Sequence, residues 1–160
     1  MANRFALKPT SPVSQSSSVV RIHSAIASAS APARQLLLID DEPDICCLVK
    51  DALGEFEGWQ VTTCQNPSHL DAVNSPLWDA ILLEVSVTRL GGFALVPALR
   101  ANPLTRQSPI VLLTSQVMPR DYARFQQMAI AGVIPKPFDP VTLGRQIAVL
   151  LGWPEARGGC

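Results

Sequence analysis

The sequence predicts a doubly wound α/β fold, in which a five-stranded parallel sheet carries helices on both faces. Short apolar runs alternate with segments whose apolar residues recur at helical spacing, from about residue 35 to residue 151. Strict alternation of strands and helices is typical of a parallel sheet. The run at residues 79–85 is nearly all apolar, as expected of a strand covered on both faces. The 160 residues suffice for one such domain.

The first predicted strand is residues 35–39, a short apolar run that ends in acidic residues. Pro43 suits the first turn of a helix, and apolar residues then follow at helical spacing at Ile45, Leu48, Val49, Ala52 and Leu53. Gly54 and Gly58 are expected to stop this helix, because glycine disfavours helix interiors. Residues 59–64 are rich in β-branched and aromatic side chains and predict the second strand.

The remaining elements continue the alternation. Asn66, Pro67 and Ser68 open a predicted helix that runs to about residue 74. Later strands are expected at residues 79–85, 109–114 and 132–134, and later helices at residues 93–100, 119–129 and 140–151. Pro97 falls inside the helix at residues 93–100, where it is expected to remove a hydrogen bond and kink the axis. Asp139 is a suitable N-cap for the last helix, and Pro140 suits its first position.

The chain divides by composition into a tail, a domain and a short end. Residues 1–34 are rich in Ser and Ala and hold four basic residues and no acid, so we expect a disordered tail that cannot bury a core. Residues 35–152 form the predicted domain, and residues 153–160 a short C-terminal tail. A bacterial cytoplasmic protein is favoured. The alternative is a plastid protein, if the basic Ser-rich start is a transit peptide.

Charge and hydropathy give no reason to expect a nucleic-acid-binding or membrane-spanning protein. The formal net charge is zero, which gives no electrostatic reason to expect nucleic-acid binding. No apolar run approaches the roughly 18 residues needed to span a bilayer. The adjacent Cys46 and Cys47 do not form a usual metal or redox motif. Packing of reduced thiols is favoured over redox sensing.

Chemistry-bearing residues follow the predicted strands. Asp40 and Asp41, Glu84, Thr114 and Lys136 all come at or just after a strand end, and the carboxyl ends of parallel strands share one edge of the sheet. Carboxylates gathered there repel one another unless a cation compensates, and Mg²⁺ prefers oxygen ligands. The residue types suit phosphoryl transfer by positioning and electrostatics.

Four segments resemble the signature segments of response-regulator receiver domains, in the same order and spacing. They are LLLIDDEPDI, WDAILLEVSVTRLGGF, PIVLLTS and PKPF, and the resemblance covers residues 35–152. It implies a flavodoxin-like receiver fold, Mg²⁺-dependent phosphorylation on a carboxylate, and two-component signalling through a surface that responds to it.

The resemblance also implies a role for each matching residue. Asp40 and Asp41 match the acidic pair that holds Mg²⁺, and Ser86 would offer a backbone carbonyl to the metal. Glu84 falls on the phosphoacceptor position and would be a further metal ligand. The hydroxyl and the lysine of the family correspond to Thr114 and Lys136, and the bond between Lys136 and Pro137 is cis in the family.

Two residues depart from the family pattern. Glu84 stands where receivers carry aspartate, and its extra methylene displaces the carboxylate. A displacement of about 1 Å can cost on the order of a hundredfold in rate, so phosphorylation and metal binding are expected to be weak or lost. Val133 stands where an aromatic switch residue is usual. Simpler roles remain open: Asp40 or Asp41 as a helix cap, Lys136 as an ion-pair partner of Glu84, and Thr114 as a strand residue.

The favoured function is that of a stand-alone atypical receiver that binds a partner protein, with phosphorylation dispensable. The alternative is a working response regulator phosphorylated by a histidine kinase. A Mg²⁺-dependent phosphohydrolase would need a nucleophilic aspartate at position 84, and no enzyme is expected. The partner would be a sensor kinase or a downstream effector, and a homodimer is an option. The expected partner surface comprises Arg120, Tyr122, Arg124, Val133, Pro135 and Arg145.

Overall fold

The computed structural model describes residues 32–68, 77–85, 92–115 and 121–154. The strands are β1 (Gln35–Ile39), β2 (Gln60–Cys64), β3 (Ala80–Leu83), β4 (Ile110–Thr114) and β5 (Ile130–Pro135). The helices are α1 (Pro43–Glu57), α2 (Leu95–Ala101), α3 (Tyr122–Gln127) and α4 (Pro140–Leu151), and a 3₁₀ turn, Gly92–Ala94, leads into α2. The helix expected at residues 66–74 lies mostly outside the described residues.

The five strands form one parallel sheet in the order β2-β1-β3-β4-β5. The chain first adds β2 on one side of β1 and then adds β3, β4 and β5 on the other side. The order therefore reverses beside β1, between it and β3. In open α/β sheets the crevice at such a reversal, outside the carboxyl ends of the strands, is where ligands bind.

Among the described residues, each face of the sheet packs against two helices. Alternate side chains of β1 point to opposite faces, with Leu36 and Leu38 in one core and Leu37 and Ile39 in the other, as the two-residue period of a strand requires. The first core receives buried side chains from α1 and α4, and the second receives them from α2 and α3. The predicted doubly wound fold with helices on both faces is confirmed.

Helix α1 ends at Gly58 and not at Gly54, which corrects the expectation that Gly54 would help to stop it. Gly54 lies on an exposed position inside the helix, where glycine costs about 1 kcal/mol relative to alanine. Packing of α1 against the core outweighs that cost. Gly58 ends the helix because it adopts φ 67°, and its N–H bonds a carbonyl of the last turn.

Pro97 lies in the first turn of α2 and not in the middle of a helix. The segment from residue 92 to residue 94 is a 3₁₀ turn, so Pro97 is the third residue of α2. The first N–H groups of an α-helix have no partner within it, so proline removes little there. At α4, by contrast, the expected cap is present: the Asp139 side chain accepts a hydrogen bond from the Val141 N–H at 3.0 Å.

Arg34 and Trp153, just outside the two predicted boundaries of the domain, contact each other. The Arg34 guanidinium lies 3.8 Å from the ring centroid of Trp153, and Trp153 packs edge-on against Trp59 with centroids 5.3 Å apart. Trp153 therefore packs on the domain, through an edge-to-face aromatic contact and a cation–π contact. Residues 1–31 and 155–160 lie outside the described residues, so the tails predicted there stay predictions. No helix in the described part of the chain is long and apolar enough to cross a bilayer.

Candidate functional site at the carboxyl edge of the sheet

Four strands bring the chemistry-bearing side chains to one edge. Asp40 follows β1, Glu84 follows β3, Thr114 ends β4, and Lys136 follows β5. Asp40, Glu84 and Thr114 are buried, with at most 1% of each residue exposed. Buried charges are rare unless they are paired, so burial of two carboxylates here requires a compensating cation.

Lys136 supplies that cation. Its Nζ lies 2.7 Å from Asp40 Oδ2 and 2.8 Å from Glu84 Oε2, and a third carboxylate, Glu42, approaches it at 3.0 Å through Oε1. The lysine side chain is itself only 10% exposed. One ammonium group is thus shared by three carboxylates, which leaves the group with an excess of negative charge. One of the simpler roles considered for Lys136 was that of an ion-pair partner of Glu84, and the structure contains this ion pair.

Glu42 is the residue that the sequence analysis missed. It is the N-cap of α1, yet its side chain makes no capping hydrogen bond, since it turns toward Lys136 instead. One carboxylate oxygen each of Asp40, Glu42 and Glu84 lies within 4.8 Å of the other two. We call these three residues the acidic triad. The signal was present in the sequence as a third acid directly after Asp41.

The expected metal ligands are therefore only partly assembled. Asp41 is exposed and is not part of the acidic triad, so its assignment as a ligand stays a prediction. Ser86 lies outside the described residues. The Asp40 side chain also accepts a hydrogen bond from the Glu42 backbone N–H, at 2.9 Å. Asp40 thus contacts both the turn before α1 and Lys136, although the N-cap of α1 is Glu42 and not Asp40.

Burial and pairing act in opposite directions on the two buried partners. Burial raises the pKa of Asp40 above its ordinary value, although hydrogen bonds from Lys136 and from the Glu42 N–H oppose the rise. Burial by itself would lower the pKa of Lys136, but hydrogen bonds to Asp40, Glu84 and Glu42 outweigh it and raise the pKa. The ammonium form of Lys136 is therefore strongly held.

The backbone around Lys136 is fixed on both sides. Its N–H donates to the Thr114 carbonyl at 3.0 Å, next to the buried Thr114 side chain. The Lys136–Pro137 peptide bond is cis, which the resemblance implied. Because β5 runs beside β4 as far as Pro135, the lysine enters the crevice directly from the end of the sheet.

The buried thiols do not form a redox pair. Cys46, on α1, packs in the core between the sheet and the helices α1 and α4. Cys64, at the end of β2, packs in the core on the opposite face of the sheet. The Cys46 thiol donates to the Asp40 carbonyl. Burial, followed by the nearby Asp40 charge, raises its pKa to about 11. A thiol with a raised pKa is a poor nucleophile, which favours a packing role for Cys46.

The described members of the expected partner surface fall into two groups. Val133 and Arg145 line a shallow groove of about 430 Å³ between β5 and α4, with Val133 partly buried and Arg145 exposed. Pro135 is exposed at the end of β5.

The second group lies on α3. Tyr122 is 55% exposed and packs edge-on against Phe125, while the Arg124 guanidinium lies 4.3 Å from the centroid of the Phe93 ring. Arg120 lies outside the described residues.

The donor set of the site fits a divalent cation. The acidic triad offers hard oxygen ligands, which Mg²⁺ prefers. Three carboxylates and one ammonium leave two negative charges when all are ionised. The Lys136 ammonium also shows, as a stand-in cation, that positive charge is favoured at this point.

A doubly wound α/β domain with buried acids and a lysine at its switch point is the architecture of a signalling receiver. The family model for the response regulator receiver domain matches residues 36–148. The chain belongs to this family, whose members are signalling domains. The predicted family and fold are confirmed.

Relatives and solved structures agree. The chain is 30% identical to the transcriptional activator protein PfeR of Pseudomonas aeruginosa over 125 residues, covering 76% of this chain and 39% of the relative. It is 29% identical to the transcriptional regulatory protein CpxR of Escherichia coli over 118 residues, covering 73% of this chain and 49% of the relative. The chain thus spans half or less of the length of these two curated relatives.

Among solved structures, the chemotaxis response regulator CheY4 of Vibrio cholerae matches with a TM-score of 0.65 and 25% identity, covering 74% of this chain and 98% of that one. The receiver domain of the sensor histidine kinase PA1611 from Pseudomonas aeruginosa matches with a TM-score of 0.62 and 24% identity, covering 75% and 98%. That structure holds a magnesium ion in its active-site cleft.

Proposed function

We propose that this receiver domain acts by binding a partner protein, and that this binding does not depend on phosphorylation. The observation that carries the proposal is the buried ion pair between Glu84 and Lys136, at 2.8 Å. Glutamate extends its charge by one methylene further than aspartate, so it reaches the ammonium without help from a phosphoryl group. Negative charge held permanently beside Lys136 imitates part of what phosphorylation adds.

The longer side chain also disfavours the chemistry. In-line transfer to a carboxylate depends on position, and a displacement of about 1 Å can lower the rate on the order of a hundredfold. The loss of an aromatic residue at position 133 acts in the same direction, because valine is too small to report a change at the site by swinging between two positions. Both departures favour a domain held largely in one conformation.

The metal belongs to the proposal as well. We propose that Mg²⁺, when bound, is held by carboxylates at this edge, where it would neutralise negative charge. Asp40 would contribute from the end of β1 and Glu84 from the end of β3. The fit of the donor set and the magnesium ion in the PA1611 receiver support this assignment.

The partner would be a sensor kinase or a downstream effector that contacts the surface formed by α3, β5 and α4. Tyr122 and Arg145 are exposed there, and aromatic residues and arginine are enriched in protein interfaces. The groove beside Val133 gives this surface a concave apolar element. That the domain works as a stand-alone receiver in the cytoplasm stays a prediction.

Intact mass after incubation with acetyl phosphate and Mg²⁺ tests the proposal. We expect no added phosphoryl group on the native chain and a phosphoryl group on the Glu84→Asp variant, because the resemblance gives Asp40, Thr114 and Lys136 the other roles that this chemistry needs. Glu84→Gln serves as the control that cannot form an acyl phosphate. A phosphorylated native chain would contradict the proposal. An unmodified Glu84→Asp variant would mean that the pocket has lost the chemistry for another reason.

Partner capture from a native extract tests the surface. Tyr122→Ala and Arg145→Glu should each reduce capture, whereas Lys50→Glu, on the exposed side of α1, should not. Unchanged capture by both surface variants would place the interface elsewhere. A self-association that both variants disrupt would identify the partner as a second copy of this chain.

The second candidate is a phosphoacceptor that relays a phosphoryl group from a histidine kinase. The specific observation in its favour is that the Lys136 N–H donates to the Thr114 carbonyl at 3.0 Å, so the two residues to which the resemblance gives phosphoryl-binding roles are neighbours. Capture that depends strongly on acetyl phosphate would favour this candidate over the first.

A further inference from the structure

Helix α3 contributes little of its own surface to the core. Of its six residues only Phe125 is buried, whereas α1 and α4 each bury four residues. A helix this short is marginal in water without contacts from the rest of the protein. The position of α3, which carries the exposed Tyr122 of the proposed partner surface, therefore depends strongly on the groups that contact its two ends.

The first part of α3 contacts the start of α2. The Arg124 guanidinium lies 4.3 Å from the centroid of the Phe93 ring, in the 3₁₀ turn that leads into α2. The Phe93 and Phe125 rings pack with their centroids 5.4 Å apart. Neither contact involves the turn that follows Gln127.

Arg100, near the end of α2, contacts that turn. Its Nη2 donates a hydrogen bond to the Ala129 carbonyl at 3.1 Å. Its Nη1 donates to the carbonyls of Arg106 at 3.0 Å and Ser108 at 2.7 Å, in the loop between α2 and β4. One guanidinium group thus joins the end of α2 to this loop and to the turn after α3, since its donors form a rigid fork.

The hydrogen bonds of Arg100 all go to backbone carbonyls. No carboxylate in the described part of the chain pairs with it, although the side chain is half-buried. Carbonyl oxygens must then replace the water that burial removes from the cation. Ala129, one of these acceptors, adopts φ 52°, which disfavours a residue with a Cβ. The partly buried guanidinium and the strained turn therefore stabilise each other.

We propose that Arg100 is a positioning residue for the partner surface, because its hydrogen bond to the Ala129 carbonyl fixes the end of α3 against α2. The exposed side chain of Tyr122 is then held in one position without a phosphoryl group. The inference deepens the proposed function and rests on its assignment of α3 to the partner surface. It gives a role in binding to a residue that does not itself belong to that surface.

The chain offers a probe for α3, because Tyr122 is its only tyrosine. Incorporation of 3-fluorotyrosine gives one ¹⁹F resonance, which reports on α3 alone. Hydrogen–deuterium exchange of the same full chain compares the amides of residues 122–129 with those of β1 and α1. Arg100→Met removes the donors, and Arg100→Lys keeps the charge but replaces the fork by one ammonium group. Arg106→Met, at an exposed arginine, is the matched control.

In both Arg100 variants the ¹⁹F resonance should shift or broaden. The amides of residues 122–129 should exchange about tenfold faster, as expected when hydrogen bonds that close one segment are lost. Exchange in β1 and α1 should stay within about twofold of the native rate, and Arg106→Met should match the native chain in both measurements. If Arg100→Met does not fold, Arg100→Lys provides the same test.

Two results on the free protein would overturn the proposal. One is a native ¹⁹F resonance together with native exchange in α3 of a folded Arg100 variant. The other is an equal acceleration of exchange in β1 and α1, since Arg100 would then stabilise the whole domain and not the position of α3.

Partner capture connects the position of α3 to binding. Capture by Arg100→Met should fall as it does for Tyr122→Ala, while Arg106→Met should bind as the native chain does. Unchanged capture by Arg100→Met, where Tyr122→Ala lowers it, would overturn the positioning role. If Tyr122→Ala also leaves capture unchanged, the proposed interface fails, and the resonance and exchange of the free protein still decide whether Arg100 fixes α3.

Discussion

Replacing Lys136 by methionine should destabilise the domain more than any other single surface or loop change discussed here. Methionine has nearly the same length as the lysine stem, so packing is kept and the change removes mainly the charge. Asp40 and Glu84, which are essentially inaccessible to solvent, would then face each other without a cation. Removing one partner of a buried ion pair typically costs about 3–5 kcal/mol.

That loss is large compared with the stability of a domain of this size. A change of 1 kcal/mol shifts the midpoint of thermal unfolding by roughly 4–8 °C in domains of about 60–100 residues and by roughly 2–4 °C in domains of about 150–250 residues, so about 4 °C applies to a domain of intermediate size. We therefore expect the midpoint of Lys136→Met to fall by about 10–20 °C at pH 7 in the absence of divalent cations. Lys50→Met, on an exposed position of α1, is the matched control and should shift the midpoint little.

Two further measurements separate charge from packing. Adding Glu84→Gln to Lys136→Met should recover part of the loss, since one of the two uncompensated buried charges is removed. Saturating Mg²⁺ should also raise the midpoint of Lys136→Met, because a ligand that binds the folded state at 100 times its Kd adds about 2.7 kcal/mol. A Lys136→Met midpoint within about 3 °C of the native value would refute the reasoning that the buried carboxylates need this ammonium.

The remaining predictions concern the start of β5 and the N-cap of α4. Each is measured by thermal or denaturant unfolding. Ala129 adopts φ 52°, which disfavours a residue with a Cβ, so Ala129→Gly should stabilise the domain by up to about 1 kcal/mol. Ala131→Gly, in the exposed part of the strand, should instead destabilise it by about 0.5–1 kcal/mol, and the same sign for both would contradict the backbone argument. Asp139→Ala should cost about 1 kcal/mol through loss of the cap on α4. An unchanged unfolding midpoint would show that the cap bond contributes nothing.

The amino-acid sequence by itself determined the fold and the edge on which the site lies. A four- or five-residue apolar run between turn residues can bury both of its faces only inside a layered sheet, and this is why β1, β3 and β4 could be located from their composition. Once the strands are parallel, their carboxyl ends must share an edge. Asp40, Glu84, Thr114 and Lys136 were therefore predicted to converge before any distance was known.

The end of helix α1 was less predictable, because packing decided it. Gly54 and Gly58 are both glycines, and each could end a helix. Only Gly58 adopts the left-handed conformation that ends α1. Trp59 and Trp153 are far apart in sequence. They meet because α1 and α4 pack side by side on the same face of the sheet, which brings the start of β2 to the end of α4.

Only the tertiary structure decided how charge is shared at the site. Asp41 and Glu42 are neighbours of the same class in the sequence, and motif reasoning favoured Asp41. The turn between β1 and α1 directs Glu42 toward Lys136 and leaves Asp41 out of the acidic triad. A side chain's direction depends on backbone dihedral angles and on the position of a lysine 94 residues away, and neither is encoded in residue type or spacing.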